Sequence, residues 1–138
     1  MITRNAYNIN DVIIIINVVD FKKPGVRKIN DLAYKDFIEN DLPKNEFFGE
    51  EIKNKLIYYP TVTRESFKNE GRLTDLIKSG KLFKDIGLQK MNPIDDRAMI
   101  CGSAEMLKDT QDLLDSMNFK VSPRIGEPGD YVIEHAFV

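Results

Sequence analysis

The chain has 138 residues, 42% of them hydrophobic and 30% charged, with a formal net charge of -2. That length suits one core burying roughly two thirds of the surface an unfolded chain exposes, and the composition excludes disorder. The near-neutral charge excludes general DNA or RNA binding, which needs a basic phosphate-neutralising face. A single cysteine, Cys101, and a single histidine, His135, exclude an internal disulfide and a Cys/His zinc set.

In chain order, the first apolar run is Val12–Val19. It is interrupted by Asn17, far short of the roughly 20 residues that span a bilayer, and flanked by Asp11 and Asp20 with no small-residue cleavage site after it. Neither a membrane segment nor a signal peptide is expected, and with the unpaired cysteine this points to a reducing cytoplasm. The β-branched residues read instead as a buried parallel strand, apolar on both faces. After Pro24-Gly25, residues 28–40 place Ile29, Leu32, Ala33, Phe37 and Ile38 at near-helical spacing, which predicts a surface helix. Pro43 and Gly49 bracket a polar loop carrying Phe47 and Phe48. These two, like Tyr58 and Tyr59, read as packing residues, because no alternating basic residues accompany them as in a base-stacking platform.

Residues 56–63, rich in β-formers, predict a strand whose Pro60 belongs near a bulge or an edge. Residues 73–79 and 82–86 predict short helices stopped by Gly80 and Gly87. Residues 97–101 form an apolar strand ending at Gly102. Ser103 then caps a helix marked by Met106, Leu107, Leu113, Leu114 and Met117. After the turn-rich stretch from Pro123 to Gly129, residues 131–138 are again strand-like. Strands alternating with helices predict an α/β protein with a mostly parallel sheet and flanking helices. No repeat, low-complexity tract or domain boundary is visible.

Open α/β sheets bind ligands outside the carboxyl ends of their strands. After the strand ending at Thr63 come Arg64 and, across a loop with Gly71, Arg72. Two arginines beside a threonine hydroxyl can grip a phosphate monoester through bidentate, charge-assisted hydrogen bonds. On spacing alone the plainer alternative stands ahead of it, a pair of solvated charges matched by Glu65, Glu70 or Asp75. At the turn Cys101-Gly102-Ser103 a glycine and a helix start let a cofactor approach the backbone; the plain alternative is a β-α turn with a buried, inert cysteine. A nucleophilic Cys101 has no histidine placed to serve it.

Three strings stand in one order: 56–65, reading Leu-Ile-Tyr-Tyr-Pro-Thr-Val-Thr-Arg-Glu; 71–77, reading Gly-Arg-Leu-Thr-Asp-Leu-Ile; and 96–103, reading Asp-Arg-Ala-Met-Ile-Cys-Gly-Ser. With the tail from Gly126 to the terminal Ala-Phe-Val, they resemble the bacterial ferredoxin (or flavodoxin)-NADP reductases. The likeness runs from about Gly25 to the end. It implies the NADP(H)-binding domain over residues 25–138, a partial doubly wound (Rossmann-like) sheet, after a divergent segment at 1–24. It further implies an oxidoreductase that moves hydride between NADPH and FAD and exchanges electrons with ferredoxin or flavodoxin.

Carried over, the resemblance assigns Arg27, Thr63, Arg64 and Arg72 to the 2′-phosphate of NADP. Cys101, Gly102 and Ser103 go beside the nicotinamide, and Ala136 and Phe137 beside the flavin ring, with the protein supplying orientation rather than covalent chemistry. The family's Arg-x-Tyr-Ser flavin motif and Gly-Thr-Gly pyrophosphate loop are missing from this sequence. The expectation is therefore a chain begun inside a longer or frameshifted gene, acting only with its flavin-binding domain, fused in the true gene product or supplied separately. The alternatives are a flavin-free NADP(H)-binding module and an inactive gene fragment.

Overall fold

The computed structural model describes residues 1–4, 12–19, 34–62, 68–124 and 126–135. They divide into two compact units, Met1–Asp11 with Leu73–Val138, and Val12–Arg72. The chain opens with a short strand of the first unit, β1 (Ile2–Arg4).

In the unit Val12–Arg72, β2 (Val12–Val19) and β3 (Leu56–Val62) run parallel, in register from Ile13 opposite Leu56 to Val19 opposite Val62. The expected helix over 28–40 is described only in part, since residues 28–33 lie outside the described residues. Its end is a π-helical turn, Phe37–Asp41, continued by a 3-10 turn, Leu42–Lys44. The expected polar loop is shorter than its brackets, because Gly49 starts a helix, α1 (Gly49–Lys55). This helix has little apolar face and draws on paired charges, Glu50 with Lys53 at 2.7 Å and Glu51 with Lys55 at 3.3 Å. A Cβ on Gly49 would stand 2.5 Å from the carbonyl oxygen of Pro43, so only glycine fits this approach.

Phe47 and Phe48 do not pack as expected: they are 91% and 41% exposed. Both sit at the tip of a turn held by the Asn45 side chain, which accepts from their backbone N–H groups at 2.9 and 3.3 Å. A turn tip has no second layer to bury a ring. Tyr59, in the strand, is buried as expected.

Pro60 meets the edge expectation. The carbonyl oxygen of Pro60 accepts from the Asn69 side-chain amide at 2.9 Å, away from the ladder with β2. A residue's nitrogen and carbonyl face the same side of a strand, so the N–H that proline lacks would also have pointed outward.

In the other unit β4 (Asp96–Gly102) lies between β1, which is antiparallel to it, and β5 (Tyr131–His135), which is parallel. The expected mostly parallel arrangement holds for β2–β3 and β4–β5, with β1 the exception. Helices α2 (Leu73–Ser79), α3 (Lys81–Asp85) and α4 (Ala104–Ser116) bury Leu76, Ile77, Leu82, Phe83, Leu107, Leu113 and Leu114. With Ala98 and Ile100 of β4 these make the core, each large side chain contributing about 1.5–3 kcal/mol. Gly80 (φ 76°) and Gly87 (φ 71°) end α2 and α3 in the left-handed conformation, as their positions predict.

Tyr131 fastens the start of β5 to the end of α4, its buried hydroxyl donating to Asp115 Oδ1 at 2.7 Å. Burial, and then the carboxylate it serves, push its pKa up to about 12. The fold thus favours the neutral phenol: its contribution is complete below the unfolded value near 10 and is lost as pH rises through about 12. Tyr131→Phe should cost about 1–2 kcal/mol in urea unfolding at pH 7. The wild-type advantage over the variant should shrink between pH 10 and about 12; equal stabilities at pH 7 would show that the bond contributes nothing.

Candidate cofactor-binding site

The sequence points to the carboxyl ends of two strands. At the end of β3 the side chain of Thr61 has no exposure to solvent. Its hydroxyl stands 3.1 Å from the carbonyl oxygen of Asn69 and 2.9 Å from that of Gly71, sharing its one proton between them. Asn69, also buried, returns its side-chain amide to Pro60. Residues 69–71 are therefore stitched to the last residues of the strand, with Gly71 at φ 125°, a conformation that side chains resist.

Arg72 comes next, exposed, one residue beyond the stitch. Its guanidinium carries the planar, always-charged donor fork that suits a phosphate dianion. Thr63 and Arg64, immediately past β3, lie outside the described residues, as does Arg27.

At the end of β4 the strand-turn-helix reads as predicted. Ser103 adopts extended backbone (φ -67°, ψ 154°) and its hydroxyl accepts from the N–H of Met106 at 3.4 Å, starting α4. Cys101 is exposed, which corrects the alternative of a buried, inert thiol. Along β4 the exposure alternates: Asp96, Ala98 and Ile100 face the core, whereas Met99 and Cys101 face outward. Cys101 stands opposite Glu134 and Gly102 opposite His135 in the parallel ladder. Ala136 and Phe137, beyond His135, lie outside the described residues. Near this edge the Met1 amino group donates to the Met99 carbonyl at 2.8 Å, and burial pushes its pKa below the ordinary value while Cys101 acts the other way.

The first residues of the 96–103 string serve the fold. The Asp96 carboxylate, fully buried, accepts from the N–H of Asn92 at 2.7 Å and holds the turn before β4. Arg97 donates to the carbonyls of Pro93 at 2.8 Å and Asp96 at 2.7 Å, with Asp130 3.5 Å away.

Comparison with known proteins adds to this geometry. The ferredoxin–NADP reductase of Azotobacter vinelandii is 66% identical over 114 residues, 83% of this chain and 44% of that protein. The ferredoxin–NADP reductase of Pseudomonas aeruginosa is 65% identical over 114 residues, with the same shares covered. A crystal structure of a ferredoxin NADP+ reductase from Neisseria gonorrhoeae, with bound FAD and NADP, superposes with a TM-score of 0.66 at 24% identity, covering 90% of this chain and 44% of that one. That likeness is one of fold. No family model matches the chain.

The fold defines the class, a Rossmann-like α/β chain. Within that class it is similar, over 83% of its length, to ferredoxin–NADP reductases, and it spans about 44% of the length of the curated relatives it matches.

Neither the Thr61 stitch nor the role of Asn69 is readable from the sequence. The one available signal is a hydroxyl in an otherwise apolar strand. Thr61→Val keeps the shape, removes the proton and strands two carbonyl oxygens. It should lower stability by about 1–2 kcal/mol and speed amide hydrogen exchange through residues 69–71. Unchanged exchange there would mean that the hydroxyl is not what holds the loop.

Proposed function

We propose that this chain is the NADP(H)-binding part of a ferredoxin (or flavodoxin)-NADP+ oxidoreductase. The observation that carries the reading is the exposed Arg72, which follows directly on a backbone segment tied to the carboxyl end of β3 by the buried hydroxyl of Thr61. In this reading Arg72, with Thr63, Arg64 and Arg27, binds the 2′-phosphate that distinguishes NADP from NAD. The turn Cys101-Gly102-Ser103 receives the nicotinamide. Cys101 shapes that pocket without attacking the ring, and Ser103, whose hydroxyl already caps α4, keeps the turn tight.

FAD, bound by a flavin-binding domain, would take up the hydride from NADPH and release the electrons singly to ferredoxin or flavodoxin. The residues in this chain orient the nicotinamide for that exchange, with Ala136 and Phe137 assigned to the flavin side. In the same reading residues 25–138 are the nucleotide-binding part. The fit with NADP rests on donor chemistry, an exposed arginine next to an anchored loop at a strand end where open α/β sheets bind ligands.

Calorimetric titration of the chain with NADP+ and with NAD+ tests this. NADP+ should bind measurably and NAD+ far more weakly. Arg72→Ala removes a charged, bidentate contact worth about 1.5–3 kcal/mol, so NADP+ affinity should fall roughly 10- to 100-fold while NAD+ binding stays unchanged. Equal weakening of both nucleotides would dismiss a 2′-phosphate role for Arg72. The purified chain should also be colourless, and tight co-purification of a flavin would place a flavin site within these residues.

A further inference from the structure

Resting on the reading that the β4–α4 turn receives the nicotinamide, we infer that Met106 is a positioning residue: its thioether covers Gly102 and gives way when the cofactor ring enters. Gly102 is not among the residues with positive φ, so its missing side chain serves space rather than backbone freedom. A Cβ built on it would collide with Cε of Met106 and lie 2.9 Å from its Sδ. The space left open by the glycine is thus filled by a methionine one helical turn away.

The Met106 backbone is fixed at both ends. Its N–H donates to Ser103 Oγ at 3.4 Å, and its carbonyl accepts from Thr110 Oγ1 at 2.7 Å. Only the side chain is free to change place. Methionine suits that task, being unbranched with three rotatable bonds and a polarisable sulfur that packs well against aromatic rings. The residue is half-buried, so its side chain has a route outward.

A ring laid against Gly102 and the thioether cannot share one position. The cover therefore lowers apparent affinity by the fraction of molecules in which the turn is open. It acts only on the nicotinamide end and leaves the phosphate-bearing adenosine end untouched.

Titrating the full chain with NADP+ and with 2′,5′-ADP, which has that adenosine end but no nicotinamide, separates the two. Met106→Ala opens the turn and should tighten NADP+ by about three- to tenfold while leaving 2′,5′-ADP unchanged. Met106→Leu, which keeps apolar bulk over Gly102, should retain the wild-type ratio of the two affinities. An unchanged NADP+ affinity in Met106→Ala, or a parallel change for both ligands, overturns the cover while the cofactor reading stands. If the wild-type chain binds neither ligand, the cofactor reading falls and takes the cover with it.

Discussion

A hydroxyl sealed from water has to find its partner inside the chain, and in this protein that requirement sets where the loops go. Thr61 sits fully buried near the end of β3, and its partners are carbonyl oxygens ten residues or fewer ahead in the chain. To meet them the backbone must fold back on the strand, and the residue delivered by that return is Arg72. Asp96 and Tyr131 obey the same rule in the other unit. The buried carboxylate holds the turn before β4, and the buried phenol ties β5 to α4. Each costs about 1–3 kcal/mol if left unmatched, so these contacts specify loop paths that apolar packing alone would leave loose.

The two strand ends differ in character. At β3 the candidate site is electrostatic, an arginine presented on a stitched loop. At β4 it is steric: a glycine, an exposed thiol, and a helix whose first turn is capped by serine. Under the proposed reading these two chemistries account for the mixture of arginine with glycine and cysteine in the motifs. Asp96 and Arg97 serve the fold, so the string that carries the family likeness is partly structural.

Legibility in the sequence tracks locality. The helices closed by Gly80 and Gly87 and the capped start at Ser103 depend on residues a few positions apart, and each is readable from caps and glycines. Helix α1 escapes such reading because its seven residues offer Ile52 as their one large apolar side chain, and its Glu–Lys spacings are the only signal. Strand β1 is three residues long and exists through pairing with β4 more than ninety positions away, which no local pattern announces. At the candidate site, two arginines set across one loop are visible as spacing, but the anchoring of that loop by Thr61 is not, since it depends on the path of the returning segment. Phe47 misleads because a phenylalanine's hydrophobicity says nothing of whether the turn beneath it has a layer to enter.

The outer edge of β3 carries a second burden. Pro60 offers no N–H there, its carbonyl is occupied by Asn69, and the returning segment 69–71 lies over the neighbouring Thr61. An exposed strand edge is a template on which another chain can add a strand and begin aggregation. In this protein the residues that deliver an arginine to the strand end also blunt that template, so loosening the loop would expose a sticky edge as well as misplace a charge.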